Sequence, residues 1–284
     1  MLDKNVFVAV LKQARLEKTA CAAINILGHT TMRAVTAAAC RAGRNVIVQP
    51  SAATVKKYGV GEMLALVDSV RKSASVQVAL HLDHCRDDAL AIACIDAGWD
   101  AVMMDYSALP LQENIEKTRK IVDYAHRRNA AVEGEIGVIC GVEDDVSAEV
   151  AKGATKEETL YFVEQTGVDA VAPALGTAHG VYKTAPCINY LLMEQLGIEK
   201  TPVVVHGGTG LSEETFQKLI GLGAAKINIS TALKHSYLDG ARALLADSKI
   251  APLDFDFALM DRMSSAMEQY IRLFAMEPIC LEGQ

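Results

Sequence analysis

The sequence predicts a (β/α)8 TIM barrel with extra C-terminal helices, forming one domain over residues 1–284. Three observations carry that reading. Eight short runs are apolar at nearly every position, the pattern of parallel strands covered on both faces. Each leads into a helical or loop-helix segment, so strands and helices alternate. The chain has 284 residues, 51% of them hydrophobic, enough for one such barrel. No linker, low-complexity stretch or internal repeat interrupts it.

The elements follow in order. A strand spans residues 20–26 and reaches Asn25 near its end. A helix over 30–41 follows, with Thr30 or Thr31 as its N-cap. Strand two is 45–49, broken by Pro50, and a helix covers 62–72. Strand three, 76–82, runs into His81-Leu82-Asp83-His84. Its helix, 88–97, stops at Gly98. Strand four, 101–104, ends at Asp105, and an amphipathic helix spans 114–128. Strand five, 130–136, carries Glu133 and Glu135. A long loop, 137–154, holds Glu143-Asp144-Asp145, and Thr155 caps a helix over 156–165. Strand six is 170–174, followed by a second long connection, 176–186. Strand seven is 202–205. Its helix, 212–220, has Glu213 and Glu214 at the positive end of the helix dipole. Strand eight is 225–229. Helices over 232–246 and 257–274 complete the chain.

Composition excludes several classes of function. The net charge is −7 and no basic stripe is present, which argues against nucleic acid as a partner. No apolar run is long enough to span a bilayer and no signal peptide pattern is present. Seven widely spaced cysteines without a CxxC pair fit reduced thiols in a cytoplasmic protein. Cys85, directly after His84, reads as a small packing residue.

In a barrel of this kind the chemistry sits where strands end. Polar residues gather there: Asn25, Gln49, Ser51, Asp83, His84, Asp105, Glu135, His179, His206 and Asn228. Buried polar groups cost free energy unless paired or ligated. Three strands ending in or near a histidine therefore suggest one shared site. His84, His179 and His206 would supply three neutral nitrogens, a donor set that suits Zn2+ and leaves a position open. Asp105 and Glu135 are partners that orient the imidazoles, an alternative metal position, or ordinary salt-bridged strand ends. His81 reads as structural or as a partner of the ligands. Strict alternation puts Asp83 and His84 on opposite faces, so both reach the site only if the strand breaks there. Strand seven ends in His206-Gly207-Gly208-Thr209-Gly210, and strand eight in Asn228-Ile229-Ser230-Thr231 at a helix start. Glycines and free helix N–H groups at these two loops suit a phosphate.

Together these motifs resemble the class II, zinc-dependent ketose-bisphosphate aldolases, closest to the tagatose-bisphosphate aldolase branch. The matching stretches are His81-Leu82-Asp83-His84, Glu133-Gly134-Glu135-Ile136-Gly137 leading to Glu143-Asp144-Asp145, Gly176-Thr177-Ala178-His179-Gly180, His206-Gly207-Gly208-Thr209-Gly210 and Lys226-Ile227-Asn228. The resemblance implies reversible cleavage of a ketose 1-phosphate or 1,6-bisphosphate to dihydroxyacetone phosphate and an aldehyde. It implies Zn2+ on His84, His179 and His206, with a monovalent cation as a further candidate. Asp83 would move the proton of the C4 hydroxyl, and Glu143 would return a proton to carbon. Gly180, Gly207, Gly208, Thr209, Asn228, Ile229, Ser230 and Thr231 would bind the dihydroxyacetone phosphate part, with Lys183 assisting. Asn25 and Ser51 would face the substrate chain. The family forms homodimers and homotetramers.

The resemblance departs at the C-terminal end. Phe257 aligns where relatives carry an Arg that reaches the far phosphate from a neighbouring subunit, and Arg262 lies one helical turn on. An aldehyde partner without a phosphate is one alternative. An isomerase or epimerase on the same scaffold, or a non-catalytic aldolase partner subunit, are others.

Overall fold

The computed structural model describes residues 2, 4–143, 146–148, 152–180 and 186–277, the side chains at 140, 142, 143 and 146–148 excepted. Eight parallel strands close into a barrel: β1 (Cys21–Asn25), β2 (Val46–Gln49), β3 (Val78–Cys85), β4 (Ala101–Met104), β5 (Ala131–Ile136), β8 (Ala170–Pro173), β10 (Val203–Val205) and β11 (Ala224–Ile229). Every residue of these strands is buried, which is why they read as continuous apolar runs.

Side chains alternate in and out along each strand. The outward set, including Ala22, Ile24, Leu80, Leu82, Val132 and Ile227, packs under the surrounding helices. Those helices are α2 (His29–Ala42), α4 (Val60–Arg71), α5 (Asp88–Ala97), α6 (Leu111–His126), α7 (Lys156–Thr166), α8 (Tyr190–Gly197), α9 (Glu213–Gly221), α10 (Thr231–Leu244) and α11 (Pro252–Phe274), with a short α3 (Ala52–Tyr58) after β2. The inward set at the base is small: Ala23, Ala79, Ala101, Ala131, Ala170 and Ala172, with Ile47 and Val204. These alanines leave room for a plug. It is α1 (Val6–Glu17), which inserts Phe7, Val10, Leu11 and Ala14 into that cluster. Asn5 caps α1 and donates to the carbonyls of Asp100 (2.7 Å) and Asn129 (2.8 Å), fixing the plug to the barrel floor.

The structure corrects several sequence expectations. Helices α1, α3 and α8 were not anticipated. The long loop after β5 holds β6 (Cys140–Glu143) and β7 (Val146–Ala148), an antiparallel pair, and β6 also pairs with β9 (Ala178–His179), making a small separate sheet. α2 starts at His29 with Gly28 as N-cap, so Thr31 lies inside the first turn. Its hydroxyl accepts from Leu27 N and Gly28 N. α11 begins five residues earlier than expected, at Pro252. Thr155 begins and Gly98 ends its helix as the sequence indicates, whereas Ser212, expected inside α9, is its N-cap and accepts from Thr215 N.

Candidate metal and catalytic site

The break that strict alternation demands is present in β3. Leu82 faces Val102 of β4 and Cys85 faces Met104, so three steps on β3 match two on β4. The extra residue is His84, whose φ is +42°, a costly conformation for a non-glycine residue. Asp83 keeps the inward phase set by Ala79 and His81. His84, as the bulged residue, joins it, and Cys85 returns to the outer core. The strand thus continues through the histidine-rich stretch, where the sequence placed its end at Leu82. Cys85 is a buried packing residue, its thiol donating to the Asp87 carbonyl.

His179 does not end a barrel strand. It lies in β9, beyond the end of β8, and its backbone is clamped by two glycines. A Cβ on Gly141 would sit 2.3 Å from His179 O, and one on Gly207 would sit 2.3 Å from Ala178 O. Both glycines have positive φ, so these contacts and turns exclude a side chain. His206 follows β10 directly.

The three imidazoles converge. His206 Nδ1 lies 2.9 Å from His84 Nε2. Ring centroids are 4.7 Å apart for His84 and His206, 4.9 Å for His84 and His179, and 6.0 Å for His179 and His206. One ligand atom from each falls within 4.8 Å of the others, and all three residues are buried. Facing ring nitrogens in a dry site need a proton or a cation between them. Three imidazole donors with an open side fit Zn2+ in a catalytic setting. A second group, His84, Asp105 and Glu135, meets the same 4.8 Å separation. Asp105 uses both oxygens elsewhere, accepting from Arg86 (2.8 Å) and from Ser107 Oγ (2.7 Å). That favours an orienting role for Asp105, whose Oδ2 lies 3.5 Å from His84 Nδ1.

The electrostatics also ask for a cation. Burial disfavours charge on His84, but Asp83, Asp105 and Glu135 outweigh it and lift its pKa to about 10. Burial and the adjacent Asp105 push Glu135 up to about 8. Burial lowers His206 to about 4 in spite of Glu133. A divalent ion among these groups would neutralise the carboxylates that His84 now faces.

Asp83 is positioned from two sides. Asn25 Nδ2 donates to it at 2.7 Å and Asn228 Nδ2 lies 3.5 Å from its other oxygen. The Asn228 side chain thus reaches Asp83. Ser51 forms a bridge with Asp83, and its hydroxyl caps α3. The Ile229 side chain is in the outer core, which leaves its backbone alone for binding. Gly208 N donates to Asn228 O, and Thr209 Oγ1 accepts from Ala232 N, drawing the two glycine-bearing and helix-opening loops together. α10 opens at Thr231 after Ser230, which provides no side-chain cap. Ser230 Oγ is buried without a hydrogen-bond partner among the described residues. A helix start whose own N-cap residue leaves its hydroxyl spare suits an anion. Gly180, with φ of +84°, follows His179. The Glu143 backbone lies in β6 but its side chain is outside the described residues, as are Asp144, Asp145 and Lys183 altogether.

Two residues were not singled out from sequence. Glu133 Oε1 accepts from His206 Nε2 at 2.8 Å, and Lys226 Nζ donates to Glu133 Oε2 at 2.8 Å, all fully buried. The signal was available. Each lies two residues before a recognised inward residue, Glu135 or Asn228, so each must point into the barrel one layer deeper.

A closed barrel with a buried trio of imidazoles beside an aspartate is a TIM barrel with a site that could hold a metal. Comparison with known families narrows this further: the model of class-II fructose-bisphosphate aldolase matches residues 6–277, and the chain belongs to that family. It is an aldehyde-lyase of class II. The chain is 34% identical over 276 residues to a sulfofructosephosphate aldolase of Alkalicoccus urumqiensis, covering 94% of this chain and 95% of that one. It is 37% identical over 243 residues to a fructose-bisphosphate aldolase of Geobacillus stearothermophilus, covering 84% of each. A crystal structure of a putative fructose-1,6-biphosphate aldolase from Coccidioides immitis superposes with a TM-score of 0.89 at 27% identity, covering 95% and 96% of the two chains. The match is to the family as a whole and not specifically to the tagatose branch. No helix among the described residues is long and apolar enough to cross a membrane.

Replacing one candidate ligand separates metal binding from fold. His206→Ala is expected to lose zinc affinity together with activity, read as zinc content after dialysis. A variant with full zinc content would refute the ligand role.

Proposed function

We propose that the protein reversibly cleaves a ketose 1-phosphate or 1,6-bisphosphate of the tagatose or fructose type to dihydroxyacetone phosphate and an aldehyde. The observation that carries this reading is the bulge in β3, which sets Asp83 beside His84 on the inward side of the barrel. Zn2+ held by His84, His179 and His206 would supply Lewis acidity toward the ketose C2 carbonyl.

The chain's own residues supply the rest. Asp83 takes the proton from the C4 hydroxyl as the C3–C4 bond breaks and the aldehyde forms. In condensation it gives that proton back. Asn25, donating to one Asp83 oxygen, leaves the other turned toward Asn228 and the substrate side. Glu143, from the loop, protonates C3 to complete dihydroxyacetone phosphate. The phosphate sits at the start of α10 among Gly207, Gly208, Thr209, Ser230 and Thr231.

The far end of the substrate differs from the bisphosphate pattern. Phe257 is 46% exposed, and the Arg33 guanidinium lies 5.7 Å above its ring. Arg262 packs toward α10, its Cδ 3.6 Å from the place of a Cβ on Gly240. A Phe cannot make the bidentate charge-assisted bonds of an Arg to phosphate. The relative named for sulfofructosephosphate supports an acceptor aldehyde without a phosphate. The expected result is a kcat/KM for a ketose 1-phosphate at least equal to that for the matching 1,6-bisphosphate. A clear preference for the bisphosphate would contradict this specificity.

Product analysis tests the reaction itself. Zinc-loaded protein given dihydroxyacetone phosphate and a panel of aldehydes should form a new carbon–carbon bond. Isomerised or epimerised sugar phosphate with no condensation product would replace the aldolase reading with that of an isomerase.

A further inference from the structure

The middle layer of a (β/α)8 barrel is ordinarily filled by branched apolar side chains. Here that layer holds Gln49, His81, Glu133 and Lys226, all fully buried. Gln49 and His81 form one hydrogen-bonded pair and Lys226 and Glu133 another, with the two pairs adjoining at His81 and Glu133. Gln49 Nε2 donates to Asn25 Oδ1 (2.9 Å), and its Oε1 faces His81 Nδ1 (3.3 Å). The His81 ring is stacked on Phe7 of the α1 plug, and its Nε2 lies 3.6 Å from Glu133 Oε2. Lys226 holds that same Oε2 at 2.8 Å, which leaves Oε1 for His206 Nε2 at 2.8 Å.

We propose that Lys226 and Glu133 are positioning residues for His206. Lys226 gives the buried carboxylate its counter-charge and pins one oxygen. The other oxygen then accepts a hydrogen bond from His206 Nε2–H, which leaves Nδ1 with the lone pair facing His84. The inference rests on the metal reading for its consequence, since it determines which His206 nitrogen is offered as a ligand. It does not rest on it for its structural content, because the tautomer belongs to the protein itself.

Two measurements test it. In metal-free wild-type protein labelled with 15N-histidine, and with His206 assigned by comparison with His206→Gln, the His206 ring is expected as the Nε2–H tautomer. An Nδ1–H tautomer would overturn the proposal. Zinc affinity is then measured by competition with a chromophoric chelator. The paired variant Glu133→Met/Lys226→Met removes both charges and conserves volume. It is expected to bind zinc about 10–100-fold more weakly than wild type. Glu133→Gln/Lys226→Met, which restores an acceptor oxygen, is expected to recover most of that loss. An unchanged affinity in a folded Met pair, or no recovery with Gln, would show that these residues only fill space. If wild-type protein binds no zinc at all, the metal reading fails, and the tautomer measurement still judges the positioning role.

Discussion

Asp83→Ala is expected to keep its metal and lose about 10²–10⁴ in turnover, the usual worth of a positioned acid–base group. The argument is geometric. Asp83 is 1% exposed and held by Asn25, yet it is none of the three converging imidazoles. Its removal leaves His84, His179 and His206 in place. Zinc content and kcat measured on one preparation separate the two roles. Wild-type turnover in a zinc-loaded variant would remove Asp83 from the proton transfer. Loss of zinc along with turnover would mean that Asp83 shapes the metal site rather than the proton path.

The second large effect falls on stability. Lys226→Met leaves Glu133 buried without its cation. Breaking a buried pair from one side costs about 3–5 kcal/mol, against a total stability of about 5–15 kcal/mol for a typical domain. The thermal midpoint should fall by about 6–20 °C. Adding Glu133→Met should recover much of the loss, since an apolar pair of similar volume is often neutral. Equal midpoints for wild type and Lys226→Met would show that Glu133 finds another partner.

The barrel was legible because strands buried on both faces must be apolar at nearly every position. Turn and cap chemistry at Gly98 and Thr155 was legible because it too is local. The candidate metal ligands were legible as polar residues that a strand end would otherwise leave unpaired. Other features depend on distant contacts. Residues 6–17 form α1 because a floor of alanines accepts Phe7 and Leu11, and those alanines lie on other strands. The β3 bulge has no glycine to announce it, and the register against β4 creates it. The small sheet that carries His179 pairs residues nearly forty positions apart, so no local pattern marks it. Glu133 and Lys226 were within reach: an inward charge in a central strand requires an opposite inward charge nearby.

The account turns on metal-dependent proton abstraction from a dihydroxyacetone phosphate donor. Proton exchange at its C3 in D2O, with and without a chelator, tests that step without an aldehyde. Exchange that stops on chelation and returns with Zn2+ is the result expected. No exchange from zinc-loaded protein, or exchange indifferent to the chelator, would contradict it.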